Sequence, residues 1–154
     1  MNLESKVFFG LDFMHMALEI GTRSGRESDD HGAAAKLLLL IGWELNSAQT
    51  KQSEAEFWRR NDDGSLDRLA TALTRLIDNL KEDGEARERL VLHALVLSTL
   101  NSAATSRQLE LVGWLVQYFS MDEATLERLK SGARNVQRAL AALRGTPPSV
   151  PDSE

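Results

Sequence analysis

The chain has 154 residues, with 18 Lys plus Arg against 23 Asp plus Glu, no Cys, and 42% hydrophobic residues. That length makes one domain, which buries roughly 68–70% of its unfolded surface and needs no staple. The lack of Cys excludes disulfides, thiolate metal sites and Cys nucleophiles. A net charge of −5 argues against general affinity for nucleic acid, because neutralising phosphates requires a clustered excess of Lys and Arg.

The spacing of apolar residues predicts an all-α fold, a compact bundle of about seven helices. A first helix runs from about Leu3 to Thr22, with Val7, Leu11, Met14 and Leu18 at intervals of three and four. It carries Glu4, Lys6, Asp12 and Glu19 and so does not read as a targeting segment. The polar stretch Gly21 to Gly32 is a loop, in which Glu27, Asp29, Asp30 and His31 put four candidate metal ligands within five residues. The competing reading, and the favoured one, is N-capping and dipole complementation of the next helix, because consecutive loop residues seldom converge on one point.

The second helix, about His31 to Leu45, is apolar nearly all round, so Leu40 is expected to be enclosed. Its most apolar stretch, Ala33 to Trp43, has 11 residues including Lys36. This falls short of the roughly 20 needed to cross a bilayer, and a cytoplasmic protein is the default expectation. A third helix, about Thr50 to Arg60, should point Phe57 and Trp58 inward. Residues Asn61, Asp63 and Gly64 form a turn, since a calcium loop in this register would place Arg59 and Ala70 at its first and twelfth ligand positions. Ser65 then caps a fourth helix that ends near Leu80.

A fifth helix, about Gly84 to Leu100, encloses Leu95. The sixth spans about Thr105 to Phe119, and the last runs from Asp122 to Leu143 with a break near Gly132. Residues 1–144 form the single domain, and 145–154, a Pro-rich stretch, are expected to be a disordered tail. The word Leu-Asn-Ser-Ala, followed by Thr50 or Thr105, occurs at Leu45 and again at Leu100 after an apolar helix, at an offset of 55 residues. It reads as a helix-corner-helix unit made twice, with Asn46 and Asn101 closing one helix and Thr opening the next.

At these corners the chain resembles the tellurite-resistance TerB-like family, all-helical bacterial domains also found fused to J-domain co-chaperones. The resemblance lies in LLLLIGWELNSAQTKQSEAEFW and VLHALVLSTLNSAATSRQLELVGWLVQYFSMDEATLERL and covers about Ala33 to Leu129. The family's corner Asp is Asn46 and Asn101 here, its Gly is Ser47 and Ser102, and its Glu is displaced to Glu54 and Glu110. Hard cations want carboxylate oxygens, so the resemblance implies a divergent member that keeps the fold and has lost the metal site. It also implies a non-enzymatic interaction or scaffold module of a bacterial stress-response or envelope-associated system, with no cofactor and a protein partner.

Two further surfaces stand out. Lys130, Arg134 and Arg138 fall one turn apart on the last helix, a basic stripe suited to an acidic partner or to the anionic inner face of a membrane, and equally a solvated face. The opposite side, with Leu129, Ala133, Val136, Leu140 and Leu143, finishes the core or pairs with a second copy. Two alternative functions remain open at this level: metal binding or sensing by Glu27, Asp29, Asp30 and His31, and a small enzyme with a helical cavity around His15 or His93. Trp43, Trp58 and Trp114 read as core or interface anchors.

Overall fold

The computed structural model describes residues 3–25, 30–80, 82–100 and 103–143. They form α1 (Leu3–Thr22), α2 (Asp30–Gly42), α3 (Ser47–Asp63), α4 (Leu69–Leu80), α5 (Gly84–Ser98), α6 (Ser106–Tyr118) and α7 (Glu123–Leu143), with no strand among the described residues. The all-α bundle expected from the sequence is therefore the observed architecture.

The hub is α1. It touches α2, α3, α4 and α5, while α6 and α7 pack chiefly on α5. Packing on several sides explains why Phe9, Leu11, Phe13, Met14, Met16 and Ile20 of α1 are all enclosed, while Phe8 is 41% exposed. Where α1 meets α3, Gly10 lets the backbones approach: a Cβ there would lie 2.2 Å from Ser53 Oγ and 2.8 Å from Ser53 Cβ. Ser53 cannot swing away without loss, because its hydroxyl donates to Val7 O at 2.8 Å on α1. The inward stripe of α3 is Gln49, Thr50, Ser53 and Phe57.

That stripe corrects the expectation for Trp58, which lies about a quarter-turn from Phe57 and is 45% exposed. Leu40 is also corrected, at 37% exposed: α2 buries Ala34, Ala35, Leu38 and Leu39, and no helix covers the opposite side of its turn. Leu95 is enclosed as expected.

The first corner is built differently from the sequence reading. Helix α2 closes with Glu44 in the left-handed region (φ 59) and Leu45 N–H donating 3.1 Å back to Leu39 O. Asn46 instead opens α3: its side-chain Oδ1 accepts from Gln49 N–H at 2.8 Å, while the Gln49 side chain accepts from Asn46 N–H at 2.8 Å. The same reciprocal box recurs at Thr105 and Gln108, opening α6. The residues that open α3 and α6 are thus Asn46 and Thr105, so Thr50 does not play the capping part of Thr105. Asn101 lies outside the described residues.

Ser65 belongs to the turn rather than to α4, bonding Asp63 through its backbone N–H at 2.9 Å, and α4 starts at Leu69. Helix α7 runs unbroken through Gly132, where a Cβ would lie in ordinary contact, 3.4 Å, with Leu92 Cδ1 of α5. The expected tail, residues 145–154, falls outside the described residues.

Gly10→Ala is expected to destabilise the fold by about 1–3 kcal/mol, the usual penalty for overpacking a close backbone approach. Gly10→Ala combined with Ser53→Ala, which removes the hydroxyl the new methyl meets, should recover part of that loss. Chemical denaturation of the two variants checks both outcomes.

Candidate functional site

The candidate residues from the sequence separate into an internal polar set and an exposed set. Inside, His93 of α5 is buried among Phe13 and Trp43, with ring centroids 6.0 and 5.7 Å away. Trp43 Nε1–H donates to His93 Nδ1 at 2.9 Å, which places the imidazole proton on Nε2 in the neutral ring. Burial, helped by the Arg89 charge, pushes the His93 pKa down to about 3. Arg89 also covers the Trp43 ring at 5.1 Å, and Gly42 lies so close that a Cβ would come 2.5 Å from His93 Cε1. His93 is therefore a neutral acceptor that fixes the end of α2 against α5.

His15 sits on α1 between Asp12 and Glu19, edge-on to Phe57 at 5.8 Å. Burial lowers its pKa, against the opposing pull of Asp12 and Glu19. Beside it, Asp12 is 2% exposed and receives a two-pronged contact from Arg75 of α4 at 2.9 and 2.8 Å. Burial raises the Asp12 carboxyl above the ordinary range, while the Arg75 bonds pull it down. Arg75 also reaches Asp67 at 2.9 Å, so this cluster is a clamp between α1 and α4.

Of the metal candidates, Glu27 and Asp29 lie outside the described residues. Asp30 is the first residue of α2, where it complements the helix dipole. His31 is buried, with Nε2 2.9 Å from Leu97 O of α5. No group of three or more potential metal ligands gathers among the described residues.

The basic stripe on α7 is exposed along its length. Lys130 pairs with Glu127 at 3.2 Å and Arg138 bonds Asn135 at 3.3 Å, whereas Arg134 forms no ion pair among the described residues. On the other side of α7, Leu129, Ala133 and Leu140 are buried with Val136 packed beside them, which finishes the core; the side chain of Leu143 lies outside the described set. Among the described residues no helix is long and apolar enough to cross a membrane.

Of the outer face of α6, sequence reasoning singled out only Trp114 and missed its neighbours Leu109, Gly113 and Tyr118. This helix turns Gln108, Leu111, Val112 and Leu115 inward and leaves Leu109, Trp114 and Tyr118 exposed at 46, 39 and 54%. Trp114 and Tyr118 rest on each other at 5.5 Å. The face borders an open groove of about 810 Å³ lined by Glu110, Gly113, Trp114, Gln117, Met121 and Asp122, among others. Asp122 is engaged as a helix cap, accepting from Thr125 N–H at 2.7 Å, which holds its pKa low. None of the three histidines lines the groove.

Gly113 sits at the middle of this face with nothing within 4 Å of where a Cβ would be. Its backbone is helical and its φ is not positive. Glycine in a helix interior costs about 0.5–1 kcal/mol relative to Ala, and nothing within the described chain offsets that cost. A glycine inside an amphipathic stretch without a turn, Leu-Val-Gly-Trp-Leu-Val, is the sequence signal that marks it. No family model, curated protein or solved structure matches the chain, so the site stands on its own geometry.

Two outcomes follow. Gly113→Ala is expected to raise stability by about 0.5–1 kcal/mol, read as a melting temperature higher by roughly 1–4 °C. Separately, His93 has a folded pKa of about 3, below its ordinary 6.5, so the unfolded chain takes up the proton first. Stability is then complete above the ordinary value and falls with pH below it, by roughly 1.4 kcal/mol per pH unit for one proton. His93→Gln, whose amide oxygen still accepts from Trp43, should flatten that acid limb by about one proton's slope. A parallel shift of the whole melting-temperature profile would show that His93 does not titrate on unfolding.

Proposed function

We propose that the chain is a non-enzymatic interaction module that docks through the outer face of α6. The observation that carries this reading is the set of exposed large apolar side chains, Leu109, Trp114 and Tyr118, gathered around a glycine the fold itself does not require. Aromatic residues on a rigid helix beside a groove are the usual anchors of protein interfaces, because they combine large contact area with little entropy to lose. The internal histidines support the same reading: His31 and His93 hold helices together through hydrogen bonds, and His15 packs against Phe57. The resemblance to TerB-like domains supplies the setting, a bacterial stress-response or envelope-associated system. The α7 cations, with Arg134 foremost, extend the candidate surface toward an acidic partner or an anionic membrane face.

The test is affinity capture from host lysate with the full chain and with a Trp114→Ala, Tyr118→Ala variant. Circular dichroism should be unchanged, since both side chains are exposed, while captured protein is lost. Full capture by the folded double variant overturns α6 as the docking face.

A further inference from the structure

We infer that the occupant of the α6 face is a second copy of this chain, paired through antiparallel α6 helices that cross at Gly113. This inference rests on α6 being the docking face and names what docks there.

A closed two-fold interface requires one surface to complement itself. The outer face of α6 meets that requirement about Gly113. In an antiparallel pair crossing at this residue, positions equally far before and after it stand opposite each other. Glu110, three residues before, then faces Gln117 of the other copy, four residues after, and a carboxylate meets an amide donor at two symmetric places. Glu110 is free to turn outward: its side chain is 72% exposed and its nearest cation, Arg23, is 4.0 Å away.

On one flank the exposed guanidinium of Arg107 comes level with the Tyr118 ring of the other copy, a cation over an aromatic face. On the same flank the two Trp114 rings meet each other near the axis. On the other flank Leu109 lies against the other copy's α6 beyond Gly113. The glycine stands where the two backbones come closest, and a side chain there would hold them apart.

The strip is short. Helix α6 has 13 residues, about 20 Å of length, which puts the interface at the small end of specific associations. The dimer is accordingly concentration-dependent.

The experiment is sedimentation of the full chain from low micromolar to near-millimolar concentration. The average mass is expected to rise from 17.1 kDa toward twice that value. Gly113→Arg should stay monomeric at every concentration with an unchanged helical spectrum. Gln117→Arg, which turns two amide contacts into ion pairs with Glu110, should tighten the dimer several-fold at low salt and lose that gain at high salt. Register is read by cross-linking, which the absence of native Cys makes clean. A mixture of Glu110→Cys and Gln117→Cys chains should oxidise mainly to the mixed dimer rather than to either symmetric one.

A wild-type chain that stays monomeric throughout overturns the inference, as does self-association that survives Gly113→Arg. Symmetric cross-linking as fast as mixed cross-linking overturns the antiparallel register. If the wild type is monomeric yet Trp114→Ala with Tyr118→Ala still abolishes capture from lysate, self-pairing fails while docking on α6 stands.

Discussion

The enclosure of α1 by four other helices is the constraint to which the rest of the structure answers. A helix packed on most of its sides has to be largely apolar, and a charge buried on it calls for an internal partner. Asp12 shows how demanding this is. At 2% exposure it is held by both prongs of Arg75, an arrangement only a planar guanidinium supplies. Because Arg75 remains partly open to solvent and also serves Asp67, the clamp adds less stability than its distances suggest. Its sharper effect is on alignment: a carboxylate with so few other options fixes the rotation of α1 against α4.

Packing four helices around one also decides where function can reside. Helices α6 and α7 are added outside that ring, mainly against α5, so each keeps a wide free face. The position of α6 is nevertheless firmly set. Gln108 Nε2 donates to Ile20 O at 2.9 Å, Thr105 Oγ1 donates to Arg23 O at 2.9 Å, and Arg23 Nη1 donates to Arg107 O at 2.8 Å. These three bonds tie the start of α6 to the end of α1, and at its other end Arg87 of α5 lies over the Phe119 ring at 5.9 Å. The exposed aromatic pair is thereby presented on a rigid support, the condition under which side-chain anchors lose little entropy on binding.

Helix existence was legible because a stripe of apolar residues reports a buried face whatever covers it. Coverage itself was not legible. Leu40 and Trp58 sit in sequences as apolar as those of Leu95 and Phe57, and only the arrangement of neighbouring helices leaves the first pair open. The corner at Asn46 failed for a local reason: asparagine suits both a left-handed closing position and an N-cap, and Glu44 took the first role. Thr105 does open α6, as its hydroxyl suggested, and Gln108 three positions later completes the capping box. The site proved harder still. The sequence drew attention to acids and histidines, whereas the α6 face consists of ordinary apolar residues whose exposure depends on α6 being peripheral.

The glycines carry this distinction between fold and function most clearly. Gly10, Gly21 and Gly42 each stand where a Cβ would strike a neighbouring side chain within 3 Å, Ser53, His31 and His93 respectively. Each relieves a crowding that the enclosed α1 and its first neighbours create, so the flexibility lost on folding is offset by closer packing. Gly113 has the same intrinsic cost and no such neighbour. Gly113 stands on an exposed turn between Leu109 and Trp114, where internal packing exerts no pull toward glycine. The α6 pairing inferred above would supply the compensation from outside the chain, through the close approach of another backbone at that point.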